Sequence, residues 1–380
     1  MQLSKPVKAV CISLFAFVLS MVLIQPFSAS TAALFSSPEK NDFTISDFYN
    51  IVADGRDLAH LDDNIVIVNL DNSDRAEIAG LLNMISLCGP KAVGLDVTFE
   101  DRREGDSLLL EAIAMTPALV QPLNLLPVQG SDSFALGGYS YFYRPGDDGF
   151  ASSALPSKYA NSTIREFRTV FPTRDAGSLP SFSLALARIA DPDAAAELEQ
   201  RGNKLEIINY HSRRFRCYEP SELLDHAEEL AGRVVLLGAL HEKGDLHPTP
   251  VNSMMAGIFI HANSLATVLD RAYMTSTPRW LQWLFGFLLC YLVVFTHLSL
   301  TVRIKGLVLR ILQVGLLYAT VQIGYYMFLI HNVVMDFSYA LLMLTFGIFA
   351  CDIWNGFAAI SDWCVEKYRS FRKIRRPTTN

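Results

Sequence analysis

Four side chains able to bind a hard cation or trade a proton stand at the ends of apolar runs: Asp71, Asp96, Asp245 and His261. Asp71 follows residues 64–70 and Asp96 lies near the end of residues 92–97, both rich in Ile, Val and Leu and of strand length. Asp245 sits in the polar loop HEKGDLHPTP, which follows the apolar run 234–237 and Gly238. A second β-type run, 258–260, delivers His261 and Asn263 to the start of a helix. If these runs are parallel neighbours, their carboxyl ends gather the polar groups where open α/β sheets bind ligands. Convergent carboxylates hold a hard cation, or raise one another's pKa for acid–base work.

The candidate ligand set is therefore Asp71, Asp96, Asp245, Thr249, His261 and Asn263, with no catalytic residue assigned and the metal and cofactor left open. The same residues also have a structural reading. Asp71 and Asn72 suit N-caps for a helix beginning at Arg75, Asn263 suits a cap, and His261 suits a buried hydrogen-bonding group. Thr249-Pro250 fixes a loop, since a threonine nucleophile needs a neighbouring base. No phosphate loop is present, because GALHEKGD lacks the Lys-Ser/Thr ending, and neither G-x-S-x-G nor H-E-x-x-H occurs. No Cys/His spacing suits zinc. An enzyme reading has no motif behind it.

The elements that must position these groups alternate. Strands are expected at 64–70, 92–97 and 118–121, with helices at 75–87 and 107–114 between them. Residues 78, 81, 82, 84 and 85 form an apolar helical stripe, and Gly89-Pro90 stops it. Short connections make these right-handed βαβ units. Residues 125–180, rich in Gly, Ser, Pro and aromatics, break the alternation. They read as a β insertion or a ligand lid, with antiparallel strands at 139–143 and 164–171. Helices follow at 181–190 (buried face Ala185, Leu186, Ile189), 191–200 and 221–230, with a strand at 205–210. A short helix at 45–52 lies within a polar connector, 36–61. The fold class is a mixed, largely parallel α/β domain with flanking helices and a β-rich insertion, joined to four transmembrane helices.

Hydrophobic residues make up 51% of the 380 and mean hydropathy is +0.26, too apolar for an ordinary soluble chain. Four segments reach membrane-spanning length: 9–25, which reads as an uncleaved anchor or a cleaved signal peptide, then 280–300, 306–330 and 333–354. Lys5 and Lys8 precede the first, Arg303 and Lys305 lie between the second and third, and six Lys or Arg follow the fourth. The positive-inside rule puts both termini in the cytoplasm, 1–8 and 355–380, and residues 26–278 outside. Net charge divides accordingly: +2 over residues 1–25, −14 over 26–278 and +6 over 279–380. An acidic outer domain argues against nucleic-acid binding. The basic tail suits anionic inner-leaflet lipid. Trp354, Phe357, Ile360, Cys364, Tyr368 and Phe371 recur at helical spacing there, an amphipathic helix that lies on lipid or pairs with a second copy, ended by Pro377. Arg310, Asp336 and Asp352 lie near span ends and snorkel. Cys88 and Cys217 are the two cysteines of the outer domain; pairing is chemically allowed there, but Cys88 reads as core.

The runs IVIVNLDNSD (65–74), KAVGLDVTFED (91–101), SFSLALAR (181–188), IINY (207–210), then V-V-L-L-G, G-D-x-x-x-T-P and G-I-x-I-H-A-N-S-L resemble, in that order, the type-two CHASE domain, an extracytoplasmic sensory domain of bacterial receptors. The resemblance covers about residues 64–274. It implies a bacterial inner-membrane, multi-pass sensor that detects a small ligand or envelope component. Members of that family carry a cytoplasmic cyclase or kinase after the spans, and this chain ends at Asn380 without one. It is therefore expected to be a stand-alone form that signals through a separate partner protein, with a homodimer possible. The alternatives are a structural or docking component of an envelope complex using residues 125–180, and a metal-dependent hydrolase using the same carboxylates.

Overall fold

The computed structural model describes residues 4–34, 44–54, 60–156, 162–174, 177–210, 213–300 and 305–374. These fall into two compact units: Pro38–Thr275, and Met1–Ser37 together with Ser276–Asn380.

Helix α1 (Lys5–Leu34) belongs to the second unit. The first opens with α2 (Ile45–Asp54) and continues β1 (His60–Asn69), α3 (Arg75–Leu87), β2 (Ala92–Leu95), α4 (Asp106–Met115) and β3 (Leu119–Pro127). The insertion supplies β4 (Phe134–Gly138), β5 (Phe150–Ser152), β6 (Glu166–Arg168), β7 (Val170–Pro172) and β8 (Ser178–Pro180). Then come α5 (Phe182–Ala190), α6 (Pro192–Arg201), β9 (Leu205–Ile207), β10 (Arg213–Tyr218), β11 (Val234–Gly238), β12 (Leu246–His247), β13 (Met255–Ala256) and α7 (Gly257–Leu269).

The main sheet runs β10-β1-β11-β2-β3-β4, with β5 beside β3. Every pairing in it is parallel except β3 with β4. The period of two sorts its side chains between two helical layers. Ile65, Ile67, Val234, Leu236 and Ala92 share a core with α5, α6 and α7. Val66, Val68, Val235, Leu237, Val93 and Leu95 share the other with α3 and α4. Both faces of β1, β11 and β2 are thus covered, which is why their sequences saturate with Ile, Val and Leu instead of alternating. Each such side chain contributes about 1.5–3 kcal/mol on burial.

Local chemistry sets the helix ends. Asp74 caps α3: its Oδ1 accepts from Glu77 N at 2.9 Å, and Glu77 Oε2 accepts from Asp74 N at 2.9 Å, a reciprocal capping box. The expected caps, Asp71 and Asn72, lie too early; Asn72 instead occupies the left-handed region, at φ 61°. Ser181 caps α5 and Asp191 caps α6.

Other expectations change within this unit. Residues 258–260 belong to helix α7, not a strand, and α7 is buried nearly all round. A short apolar run of that kind fits either element until its length is known. Residues 139–143 form no strand; the β3 partner is β4, just before them. Residues 221–230 form turns and one short 3-10 turn, Ala227–Glu229, rather than a helix. On α5 the buried face is Phe182, Ser183, Leu184, Leu186 and Ala187, while Ile189 is exposed. Strand β10, unforeseen, is the sheet's charged edge: Arg213 pairs with Asp62 and Asp270, and Arg216 with Asp63 and Glu229.

In the second unit, α8 (Arg279–Ser299), α9 (Lys305–His331) and α10 (Ser338–Ile374) follow. Among the described residues three helices are long and apolar enough to cross a membrane: Arg279–Ser299, Gly306–His331 and Ser338–Tyr368. The expected span 9–25 lies in α1, whose Ala9, Ile12 and Ala16 pack with Cys290 and Val294 of α8 and Met343 and Ala350 of α10. The last helix starts at Ser338, not 333: Val333–Val334 are extended, and Asp336 Oδ1 accepts from Ser338 N at 2.9 Å just before the first turn. It runs without a break past residue 354 into the expected tail. Arg303, the Phe371 side chain, Arg375, Arg376 and Pro377 lie outside the described residues. Arg310 donates to Gln313 Oε1 at 3.0 Å, and Gln313 donates to the Leu344 carbonyl at 2.7 Å.

Gly94 of β2 lies under α5: a Cβ there would stand 2.8 Å from Leu236 Cδ2 and 2.9 Å from Phe182 Cζ. Gly80, on the exposed side of α3, has nothing within 4 Å of that position. Gly94→Ala is therefore expected to destabilise by about 1–3 kcal/mol through overpacking. Gly80→Ala is expected to stabilise by about 0.5–1 kcal/mol by removing a helix-interior glycine. Thermal unfolding of the full chain in detergent reads both, and the two shifts should have opposite signs.

Candidate functional site

The carboxyl ends of β1, β11 and β2 lie side by side in the sheet, and two polar groups of residues form there. At the end of β1, Asp71 reaches the segment after β11. Its Oδ1 accepts from Leu240 N at 3.0 Å and His241 N at 3.2 Å, and its Oδ2 lies 2.5 Å from His241 Nδ1. Burial raises the Asp71 pKa, but the His241 ring and the two backbone N–H groups outweigh it and hold the carboxyl below its usual range. Asp71 thus ties one strand end to the next.

The second group centres on Asp96, whose backbone N donates to the Leu237 carbonyl at 2.8 Å and extends the β2–β11 ladder by one residue. Burial, then the charge of Asp245, pushes the Asp96 carboxyl up to about 7. Its Oδ2 stands 4.0 Å from His261 Nε2. That distance is too long for a hydrogen bond. Burial pulls His261 down to about 4, against the Asp245 charge and a hydrogen bond with the Ser153 backbone. Between about pH 4 and 7 the pair is therefore a protonated acid facing a neutral imidazole, not an ion pair. The His261 ring packs edge-on to Phe182, with centroids 5.2 Å apart.

Asp245 joins this group from the loop after β11. Its Oδ2 accepts from Gly257 N, the first residue of α7, at 3.1 Å, and its Oδ1 lies 3.3 Å from His247 Nε2. A carboxylate at a helix amino terminus meets the positive end of the dipole. A Cβ on Gly257 would collide with that carboxylate, so the glycine is required for the contact.

Of the six residues expected to share a site, Asp96, Asp245 and His261 come together, joined by His247. Asp71 does separate work at β1. Thr249 closes its own turn: its Oγ1 donates to the Asn252 carbonyl at 2.9 Å and accepts from Asn252 N at 3.1 Å. Asn263 does not cap α7 but lies inside it, donating to the Phe259 carbonyl at 2.8 Å. Among the described residues no three His, Cys, Asp or Glu groups stand close enough to hold a metal ion. What the geometry shows of this group is a buried acid and a buried imidazole 4.0 Å apart, with Asp245 bonded to the start of α7 and to His247. Cys88 and Cys217 are both free.

Two clefts lie elsewhere in the domain. One, of about 690 Å³, is lined by Asp74, Arg75, Phe99, Glu100, Asp101 and Gly105 among others. There Arg75 pairs with Asp106 and donates to the Asp101 carbonyl. The other, of about 630 Å³, lies in the insertion and is lined by Leu125, Phe134, Leu155, Arg165, Arg168 and Phe171 among others. None of these residues is among the expected site residues, although residues 125–180 read as a β insertion or ligand lid. A usable signal was the run R-E-F-R at 165–168, whose period of two sends Phe167 into the core and Glu166 and Arg168 to the other face.

Asp96 and His261 shift in opposite senses, so their contributions to stability oppose each other. Asp96, raised from 3.8 to about 7, is protonated when folded and ionised when unfolded, so its contribution falls as pH rises through that window. His261, lowered from 6.5 to about 4, is neutral when folded and charged when unfolded, so its contribution falls as pH drops through that window. Between pH 4 and 6.5 the two slopes cancel. Relative to wild type, Asp96→Asn is expected to gain stability with rising pH over this range, and His261→Gln to lose it, each by on the order of 1 kcal/mol per pH unit. Thermal unfolding from pH 4.5 to 6.5 measures both; parallel curves for the three proteins would refute the opposed shifts.

The CHASE2 domain family matches residues 28–299, a stretch that begins within α1, takes in the whole α/β unit and ends with α8. No curated protein and no solved structure matches the chain. The match covers most of the sequence and includes every strand of the sheet described above, and on it the chain belongs to the CHASE2 domain family, a family of extracytoplasmic sensory domains.

Proposed function

We propose that the chain is a multi-pass sensor of the bacterial cytoplasmic membrane. Its α/β domain faces outward, both termini lie in the cytoplasm, and α1 is a fourth, uncleaved span. The observation that carries this reading is the CHASE2 match over residues 28–299, in a chain whose carboxyl-terminal part holds three helices long and apolar enough to cross a membrane. Charge supports the orientation: the acidic segment, −14, lies between a +2 amino-terminal segment and a +6 carboxyl-terminal one.

Binding of a small molecule or envelope component to the outer domain biases the packing of the helices, and a signalling partner protein reads the change. The shift is bounded by the ligand's differential affinity for the two packings. The close approach of α8 and α10 suits such a device. A Cβ on Gly286 would stand 3.0 Å from Ala340 Cα, so the two backbones pack closely there, as small residues allow between apolar helices.

The orientation is tested with single-cysteine proteins and a membrane-impermeant maleimide. Asp225 is exposed on the α/β unit, and Cys364 is exposed on α10. Asp225→Cys is expected to label in intact spheroplasts, while Cys364 labels only after lysis. The reverse pattern would overturn the outward placement of the domain.

A further inference from the structure

The cleft in the insertion has walls and charges that specify a class of ligand. Leu125 and Pro127 of β3, Phe134 of β4, Phe171 of β7, Leu205 of β9 and Leu155 give it an apolar lining. Phe134 and Phe171 meet edge to face, centroids 5.1 Å apart. Its volume of about 630 Å³ lies in the range that encloses small organic ligands.

Three charged groups line the same space: Arg165, Glu166 and Arg168. Arg165 is engaged by Asp47 of α2 through two hydrogen bonds, Nε to Oδ1 at 2.8 Å and Nη2 to Oδ2 at 2.6 Å. Arg168 is held rigidly. Its guanidinium lies 4.9 Å over the Phe134 ring and 5.8 Å from that of Phe171, its Nε donates to the Val170 carbonyl, and its Nη2 donates to Asp132. Among the described residues its Nη1 has no hydrogen-bond partner, and neither has the Glu166 carboxylate. Asp132 is half exposed and also takes Lys204 at 2.5 Å, so one carboxylate there serves two cations. The ends of Arg168 and Glu166 are thus an oriented cation with an open donor and an anion with open acceptors. They lie two residues apart on one face of β6, roughly 6.6 Å along a strand.

We propose that this cleft binds a small zwitterion with an apolar body, of the amino-acid or short-peptide class. Its carboxylate lies on Arg168, its ammonium on Glu166, and its side chain against Phe134, Phe171 and Leu155. A purely anionic ligand would leave Glu166 facing like charge, and a purely cationic one would face two guanidiniums. Only a ligand carrying both signs close together satisfies the pair. The apolar walls exclude glycine-like zwitterions from tight binding, because these bury little surface. The proposal deepens the sensor reading by naming the ligand class.

Calorimetric titration of the full chain in detergent tests it, with phenylalanine, leucine and the dipeptide Phe-Leu as probes. Phenylpropionate, which lacks the ammonium, phenethylamine, which lacks the carboxylate, and glycine, which lacks the body, are the comparisons. At least one of the three zwitterions with an apolar body is expected to bind at least tenfold more tightly than all three comparisons. Glu166→Gln is expected to weaken that zwitterion at least tenfold while leaving phenylpropionate unchanged or tighter. Arg168 also stacks on two rings, so its replacement risks the fold; Glu166→Gln leaves that stacking intact and is the decisive variant. Absence of binding by all three zwitterions, equal binding of phenylpropionate, or an unaltered Glu166→Gln would each overturn the proposal. Because the titration reads no signalling and no orientation, its failure leaves the sensor assignment standing, and a failed labelling experiment leaves this one untouched.

Discussion

The α/β domain depends on one strand that has no exposed face. Every residue of β11 is buried, β1 and β2 hydrogen-bond to it on either side, and helices cover both its surfaces. A strand in that position cannot carry a polar side chain without leaving it unsatisfied, so polarity is forced to the strand's end. Gly238 ends β11 against Ile258 of α7, where a Cβ would stand only 3.1 Å away. The chain beyond it is the loop that supplies Asp245 and His247. The crowding of polar groups at this edge is thus a consequence of how completely the middle is apolar.

The same constraint explains which parts of the fold were legible in the sequence. β1, α3, β2, α4 and β11 announce themselves because burial on both faces or on one stripe leaves a pattern in residue type. β10 does not. Its sequence, RRFRCY, reads as a solvated segment until Asp62, Asp63, Asp270 and Glu229 are brought to it from distant parts of the chain. Arg213 is almost fully enclosed, and a charge so placed is tolerated only with its partners in position. No local window contains that information. Residues 258–260 misled for the opposite reason. A helix buried on all sides loses the polar stripe that distinguishes it, and Gly257-Ile-Phe-Ile then resembles a core strand.

The site residues divide along a similar line. Of the four groups expected to converge from strand ends, Asp96, Asp245 and His261 come together, His261 from helix α7 and not from a strand, while Asp71 bonds the segment after β11. Their chemistry was not recognisable, because it comes from burial and mutual distance rather than from residue type. Thr249 and Asn263 turned out to be bonded within their own turn and their own helix, the ordinary use of short polar side chains near a change of direction. The insertion was legible only as a departure from pattern. Its cleft is assembled from β3, β4, β6, β7 and β9, five short pieces that pair in three separate sheets.

These divisions bear on how such a domain could serve as a sensor. The stretch G-D-x-x-x-T-P followed by G-I-x-I-H, by which the chain resembles its family, is occupied with holding α7 in place: Asp245 on the helix amino terminus, Thr249 in its turn, His261 under Phe182. Residues committed in this way make poor ligand contacts, because displacing them exposes a buried helix end or an unpaired buried acid. Ligand recognition is better placed where side chains still have bonding capacity left, as Glu166 does and as Arg168 does while held over two rings. Within the α/β unit the insertion is tied to α2, its first helix, through Arg165 and Asp47. Separating the scaffold from the recognising surface lets one be rigid while the other is specific. On the proposal made for the insertion cleft, the motif marks the fold and the insertion determines the ligand.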